Sequence, residues 1–217
     1  MGEPMKLKST LLAVVLIVLL GQACSQAQLN RTYGIKIGAV AANESWTDIG
    51  GFNWKTDTRW GFTAAVYAEA PLWKFLSAQG EIQYTQKGMN FSIPVTTASQ
   101  PDGSGQYYTI SPRIDYISIP ILAKLRIPFA VVTPYVLIGP RFDFLLSRYP
   151  DGLDQVVNNF DKMDYGLTLG AGLELNSLFP FGLLAEFRYN PNVYDSYRSG
   201  SQSVSNRSMD FLVGIRL

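Results

Sequence analysis

Glu174 and Glu186 are the residues best placed to do chemistry in this chain, because two facing carboxylates suffice as acid and nucleophile in glycoside hydrolysis. Arg188 and Arg216 fall in phase with them, so the expected outcome is neutralisation of both carboxylates rather than turnover. Asp151, Asp154, Asp161 and Asp164 offer hard oxygen ligands of the kind calcium takes, but their spacing matches no EF-hand and is that of a solvated loop. Gly166, Gly170 and Gly172 are close enough to suggest a phosphate loop, yet they repeat at strand period with no helix pattern after them. Their expected role is to make room for side chains opposite. The chain has no histidine, which removes Ser-His-Asp hydrolysis and the commonest zinc sites. No catalytic, cofactor-binding or metal-binding residue is therefore assigned, and the sequon Asn43-Glu44-Ser45 is given no weight.

The positioning elements begin after residue 27. Lys6 and Lys8 precede an unbroken apolar run, Leu11 to Leu20, followed by small and polar residues, the layout of an export signal. That run is too short for a membrane-spanning helix, which needs about 20 residues. Ser25-Gln26-Ala27 places cleavage before Gln28, giving a signal peptide over 1–27 and one domain over 28–217. Cys24 opens the alternative of a lipid-anchored cysteine, although Gly21 stands where such signals carry a large aliphatic residue. With a single cysteine the exported chain has no internal disulfide. The formal charge of the whole chain is +1, near zero once residues 1–27 are removed, and with no basic stripe this points away from nucleic acid.

Residues 28–217 show two-residue alternation throughout and no sustained helical period. Strands are expected near Tyr33–Ala41, Trp60–Glu69, Leu76–Lys87, Arg113–Arg126, Thr133–Leu145, Asp164–Leu175, Phe181–Tyr189 and Ser208–Leu217. Connections alternate: short at 70–75, 127–129 and 176–180, long and polar at 43–58, 88–111, 147–161 and 190–206. An even count of strands, most of them long enough for a tilted membrane crossing of about 9–11 residues, with short turns at one end and long loops at the other, is the plan of an outer-membrane barrel. The fold class expected is all-β, an eight-stranded antiparallel up-and-down transmembrane β-barrel with both termini on the periplasmic side.

One row of each strand is apolar, and charge collects on the other. Ile117, Ile119, Ile121, Ala123 and Leu125 oppose Tyr116, Ser118, Pro120, Leu122, Lys124 and Arg126, while Met209, Phe211, Val213, Ile215 and Leu217 oppose Asp210, Gly214 and Arg216. If the apolar rows meet lipid, Lys36, Lys124, Arg126, Arg141, Arg188 and Arg216 point inward with Glu69, Glu81, Asp143, Glu174, Glu186 and Asp210. Equal numbers of each sign suit a barrel so narrow that side chains fill it. A closed, salt-bridged interior is expected, with a soluble lipocalin-like barrel of inverted faces as the alternative. Trp60, Tyr84, Tyr116, Phe144, Tyr165 and Tyr189 are expected to form one interfacial girdle, and Trp73, Phe75, Phe129, Phe179 and Phe181 the other.

Several stretches resemble the PorT-like outer-membrane β-barrel proteins of the Bacteroidetes type. Tyr116-Ile-Ser-Ile-Pro-Ile-Leu-Ala-Lys124, Pro134-Tyr-Val-Leu-Ile-Gly-Pro140 and Asp164-Tyr-Gly-Leu-Thr-Leu-Gly-Ala-Gly-Leu-Glu174 carry the likeness, with Gln86-Lys87-Gly88 and Glu186-Phe-Arg-Tyr189. The resemblance covers nearly all of the expected domain and implies an eight-stranded outer-membrane barrel. The namesake is linked to protein export by the type IX secretion system, but many members have no known role, and no functional residue carries over. Leu217 departs from the terminal Phe common in barrels.

Histidine-dependent barrel enzymes, namely phospholipases, acyltransferases and omptin proteases, lose a required group here. The function expected is a non-enzymatic scaffold or surface-interaction protein, monomeric, in contact with outer-membrane lipid and able to meet a protein partner through its long loops. A small transport pore and a soluble lipid binder are the alternatives.

Overall fold

The computed structural model describes residues 31–48, 53–54, 56–94, 106–127, 129, 131–151, 162–175, 181–193, 197–199 and 202–217. The expected signal peptide with Cys24 lies outside these residues. Eleven strands form among them: β1 (Thr32–Asp48), β2 (Asn53–Trp54), β3 (Asp57–Pro71), β4 (Leu76–Pro94), β5 (Tyr107–Ile110), β6 (Arg113–Arg126), β7 (Val132–Tyr149), β8 (Met163–Leu175), β9 (Gly182–Pro191), β10 (Tyr197–Ser199) and β11 (Gln202–Arg216).

Eight of these close a barrel. β1, β3, β4, β6, β7, β8, β9 and β11 pair antiparallel in chain order, and β11 returns to β1 from Gly34↔Arg216 to Asp48↔Gln202. Closure leaves no edge inside the bilayer, where an unpaired backbone group has no water to turn to. β2, β5 and β10 are short additions at the long-loop end, pairing with β1, β4 and β11. The 70–75 connection is a tight turn: Leu72 and Trp73 donate their backbone N–H to the Leu76 carbonyl, each at 2.9 Å.

All eight expected strands are present, and β6 has the expected bounds. Others run further toward the long-loop end. β1 continues past Ala41 to Asp48 and β4 past Lys87 to Pro94, so parts of the expected loops are ladder. Above the membrane both faces of a strand meet water, so the hydrophobic alternation that marks a strand in the sequence disappears while the pairing persists.

The faces are those the alternation predicts. Ile37, Ile121 and Val213 are 54, 52 and 57% exposed, while Lys124, Asp143 and Arg188 are fully buried. A belt of exposed aliphatic and aromatic side chains around a charged interior is the inverse of a soluble barrel, so the lipocalin-like alternative is excluded.

Two irregularities shape the interior. The β6–β7 ladder shifts register between Asp115 and Tyr116, and Ile114, Asp115 and Tyr116 are buried in succession. The β3–β4 ladder shifts between Thr58 and Thr63. Opposite that break Gly88 has φ of 138°, where a side chain would also collide with the Pro112 carbonyl. Asp151, at φ 44°, ends β7 and accepts the Ser111 N–H at 2.8 Å, tying that end to the β5–β6 connection.

Candidate functional site

Among the described residues the lumen holds most of the buried charge. At its centre Lys36 of β1 donates to Glu81 of β4 at 2.8 Å and to Glu186 of β9 at 3.0 Å. Arg188 of β9 reaches the opposite wall and binds Glu81 through both terminal nitrogens, at 2.6 and 2.7 Å. Its Nε pairs with Glu186, which also accepts the Tyr135 hydroxyl at 2.6 Å. None of these ions sees solvent, so each depends on its partners to offset the cost of leaving water.

A second cluster closes the short-turn end. Lys124 binds Glu174 at 2.5 Å and Glu69 at 3.3 Å. Arg126 pairs with Glu69 and, at 3.0 Å, with Glu174, and donates to Ser77 at 2.8 Å. Arg216 reaches Glu174 at 3.2 Å. Toward the long-loop end Asp143 takes Lys87 at 2.6 Å and Arg141 at 2.9 Å, Arg141 donates to Asn192 at 2.7 Å, and Gln83 donates to Asp210 at 3.0 Å. Aromatic faces supply further cation contact: Lys124 lies 4.0 Å from the Tyr135 ring centroid and Lys36 4.7 Å from that of Tyr67.

Small residues make this filling possible. Gly172 faces Tyr135 across β7–β8, and Gly34 faces Tyr67 across β1–β3. A Cβ would stand 2.4 Å from the Tyr135 ring at Gly172 and 2.5 Å from the Tyr67 ring at Gly34. Gly166 and Gly170 give the same clearance to Arg141 and Leu137. The β8 glycines take the expected role, opposite large lumen side chains.

Every inward charge expected from strand phase lies in the lumen, with Arg126 and Arg216 half-buried at the short-turn end. Lys87 and Asp164 join them, and a further charge, Asp115, is buried outside the lumen. Lys87 shares phase with Glu81, and Asp164 with Glu174, so both were legible. Asp115 keeps the outward phase of β6, opposite Gln86 of β4, and is buried by polar neighbours on that face: it accepts the Tyr84 hydroxyl at 2.9 Å and pairs with Arg113 at 3.2 Å.

Glu174 and Glu186 sit in separate clusters, each enclosed by cations, and offer no facing pair of free carboxylates. The four aspartates do not gather either. Asp151 is exposed on Ser111, Asp164 is buried and accepts from Asn192 at 3.3 Å, and Asp154 and Asp161 lie outside the described residues. Among the described residues no three potential ligands converge on a metal position.

The girdles need one correction. Trp60, Phe144 and Tyr165 face outward at the long-loop end and Trp73, Phe75, Phe129 and Phe181 at the other, with Phe179 outside the described residues. Tyr116 is fully buried instead, on the lumen row of β6 where Lys87 approaches its ring to 5.2 Å.

No curated protein matches the sequence. Among solved structures, Neisserial surface protein A aligns at TM-score 0.46 and 16% identity, over 85% of this chain and 96% of that one. Ail, the attachment invasion locus protein of Yersinia pestis, aligns at 0.42 and 15%, over 87 and 100%. The outer membrane protease OmpT of Escherichia coli aligns at 0.47 and 8%, over 87 and 96%. At these identities and scores none bears on activity. The family model described as "Outer membrane protein beta-barrel domain" matches residues 25–198, and with apolar rows outward around a charged, closed interior, this chain belongs to that family and resides in the outer membrane.

Proposed function

We propose that the protein is a non-enzymatic, non-conducting barrel that acts, as a monomer, as a scaffold or interaction surface, its long-loop end meeting a protein partner. The observation that carries this reading is the Arg188–Glu81 pair, which crosses the lumen at 2.6 Å with both side chains shielded from solvent. An ion path would have to break it together with the Lys36 contacts. The absence of histidine from the chain supports the non-enzymatic part. The PorT-like resemblance of β6, β7 and β8 supports a link to protein export.

Single-barrel recordings in planar bilayers are expected to show no steady nanosiemens conductance, and such a channel would favour the pore alternative. Replacing residues 95–105 or 152–161 with short Gly/Ser turns should leave folding intact and abolish the partner's binding and any export phenotype. An unchanged phenotype after every loop exchange would remove the interaction reading.

A further inference from the structure

Outside the lumen, one sector of the lipid-facing wall changes character over three successive cross-strand rows. Phe62, Ala39 and Phe211 form the first row and Trp60, Ala41 and Met209 the second; Asn43 and Arg207 begin the third. In the first two, small residues on β1 lie between large ones on β3 and β11. Trp60 and Phe211 reach over β1 and stack with centroids 6.1 Å apart. Beside the stack, toward the long-loop end, a hollow of about 450 Å³ opens, with Ala41, Met209 and Tyr189 on its apolar side and Asn43, Thr58 and Arg207 on its polar side.

The lining is amphipathic in the sense of the membrane boundary. Its lower half ends the apolar row of β11, and its upper half begins with an exposed cation. Among the described residues no carboxylate lines it. The Thr56 hydroxyl donates to Asn43 Oδ1 at 2.7 Å, which leaves the amide N–H groups of Asn43 to donate elsewhere. A freely soluble anion would have no use for the Ala41–Met209 side, and a purely apolar occupant none for Arg207.

We propose that this hollow binds a phosphorylated lipid of the outer leaflet, its phosphate against Arg207 and Asn43 and the start of its acyl chain running past Ala41 onto the Trp60–Phe211 stack. A cation at the headgroup level supplies the attraction, and the apolar floor fixes the depth. This goes beyond the loop-mediated reading and rests only on placement in the outer membrane, so either can fail alone.

The test is native mass spectrometry of the detergent-extracted barrel titrated with diphosphoryl lipid A, each variant first checked for heat-modifiable migration. Wild type should retain one lipid A per barrel, R207Q should lower retention about fivefold, the worth of one interfacial cation, and A41F should abolish it by filling the hollow. R31Q, at the opposite rim, should behave as wild type. Should A41F fail to fold, A41L takes its place. Equal retention by wild type, R207Q and the filled variant would overturn the proposal, as would equal retention of phosphatidylcholine or displacement of the lipid by millimolar inorganic phosphate.

Discussion

Glu81 shows what a single residue does in this interior. It accepts Arg188 twice, at 2.6 and 2.7 Å, and Lys36 at 2.8 Å. Replacing it with Gln leaves two buried cations with one carboxylate, Glu186, between them. Breaking a buried pair from one side costs about 3–5 kcal/mol, most of it the stranded charge. E81Q should therefore lose that much in reversible urea unfolding from lipid vesicles, and E81Q with R188M should recover part of it. Gly172 makes the complementary point about space. G172A should destabilise by about 1–3 kcal/mol through overpacking against Tyr135, and the same unfolding assay checks it.

At the level of elements, phase was the most legible property in the sequence. A strand buried on one side and lipid-facing on the other assigns every side chain by parity, so twelve inward charges on β1, β3, β4, β6 to β9 and β11 could be named before any coordinates. Parity gives the face and not the cover: Asp115 lies on the outward row of β6 yet is buried beside Tyr84 and Arg113, and the register slip in the β6–β7 ladder falls on β7, at Leu146, where no residue type marks it. Strand ends were less legible, because Asn43 to Asp48 pair with β11 although their sequence, Asn-Glu-Ser-Trp-Thr-Asp, carries no apolar alternation. The ion-pair partners were not legible at all, since parity gives the side of the sheet and not the neighbour across the lumen. The lipid face has its own test. Ile121 lies mid-row on β6 and is 52% exposed; I121R should cost about 2–4 kcal/mol, the penalty of a cation near the bilayer midplane. An equal effect for I121R and a loop-end substitution such as T58R would contradict the assigned depth.

For the whole molecule, closure of β11 on β1 makes the sheet continuous, and a closed barrel opens only by losing many backbone bonds together. Unboiled samples in SDS should migrate differently from boiled ones; identical mobility would mean that the isolated protein is not a closed barrel. The same closure bears on biogenesis. The contacts joining β9 to β4 and β1 link residues 107 and 150 positions apart, so they form only when the last strands arrive. A chain that has laid down β1 to β8 holds Lys36 and Glu81 without Arg188 and Glu186, its charges turned toward a gap instead of a partner. Incomplete or truncated chains thus carry an unsatisfied interior that disfavours their insertion, and the ion pairs of the lumen act as a quality check that only the finished barrel passes.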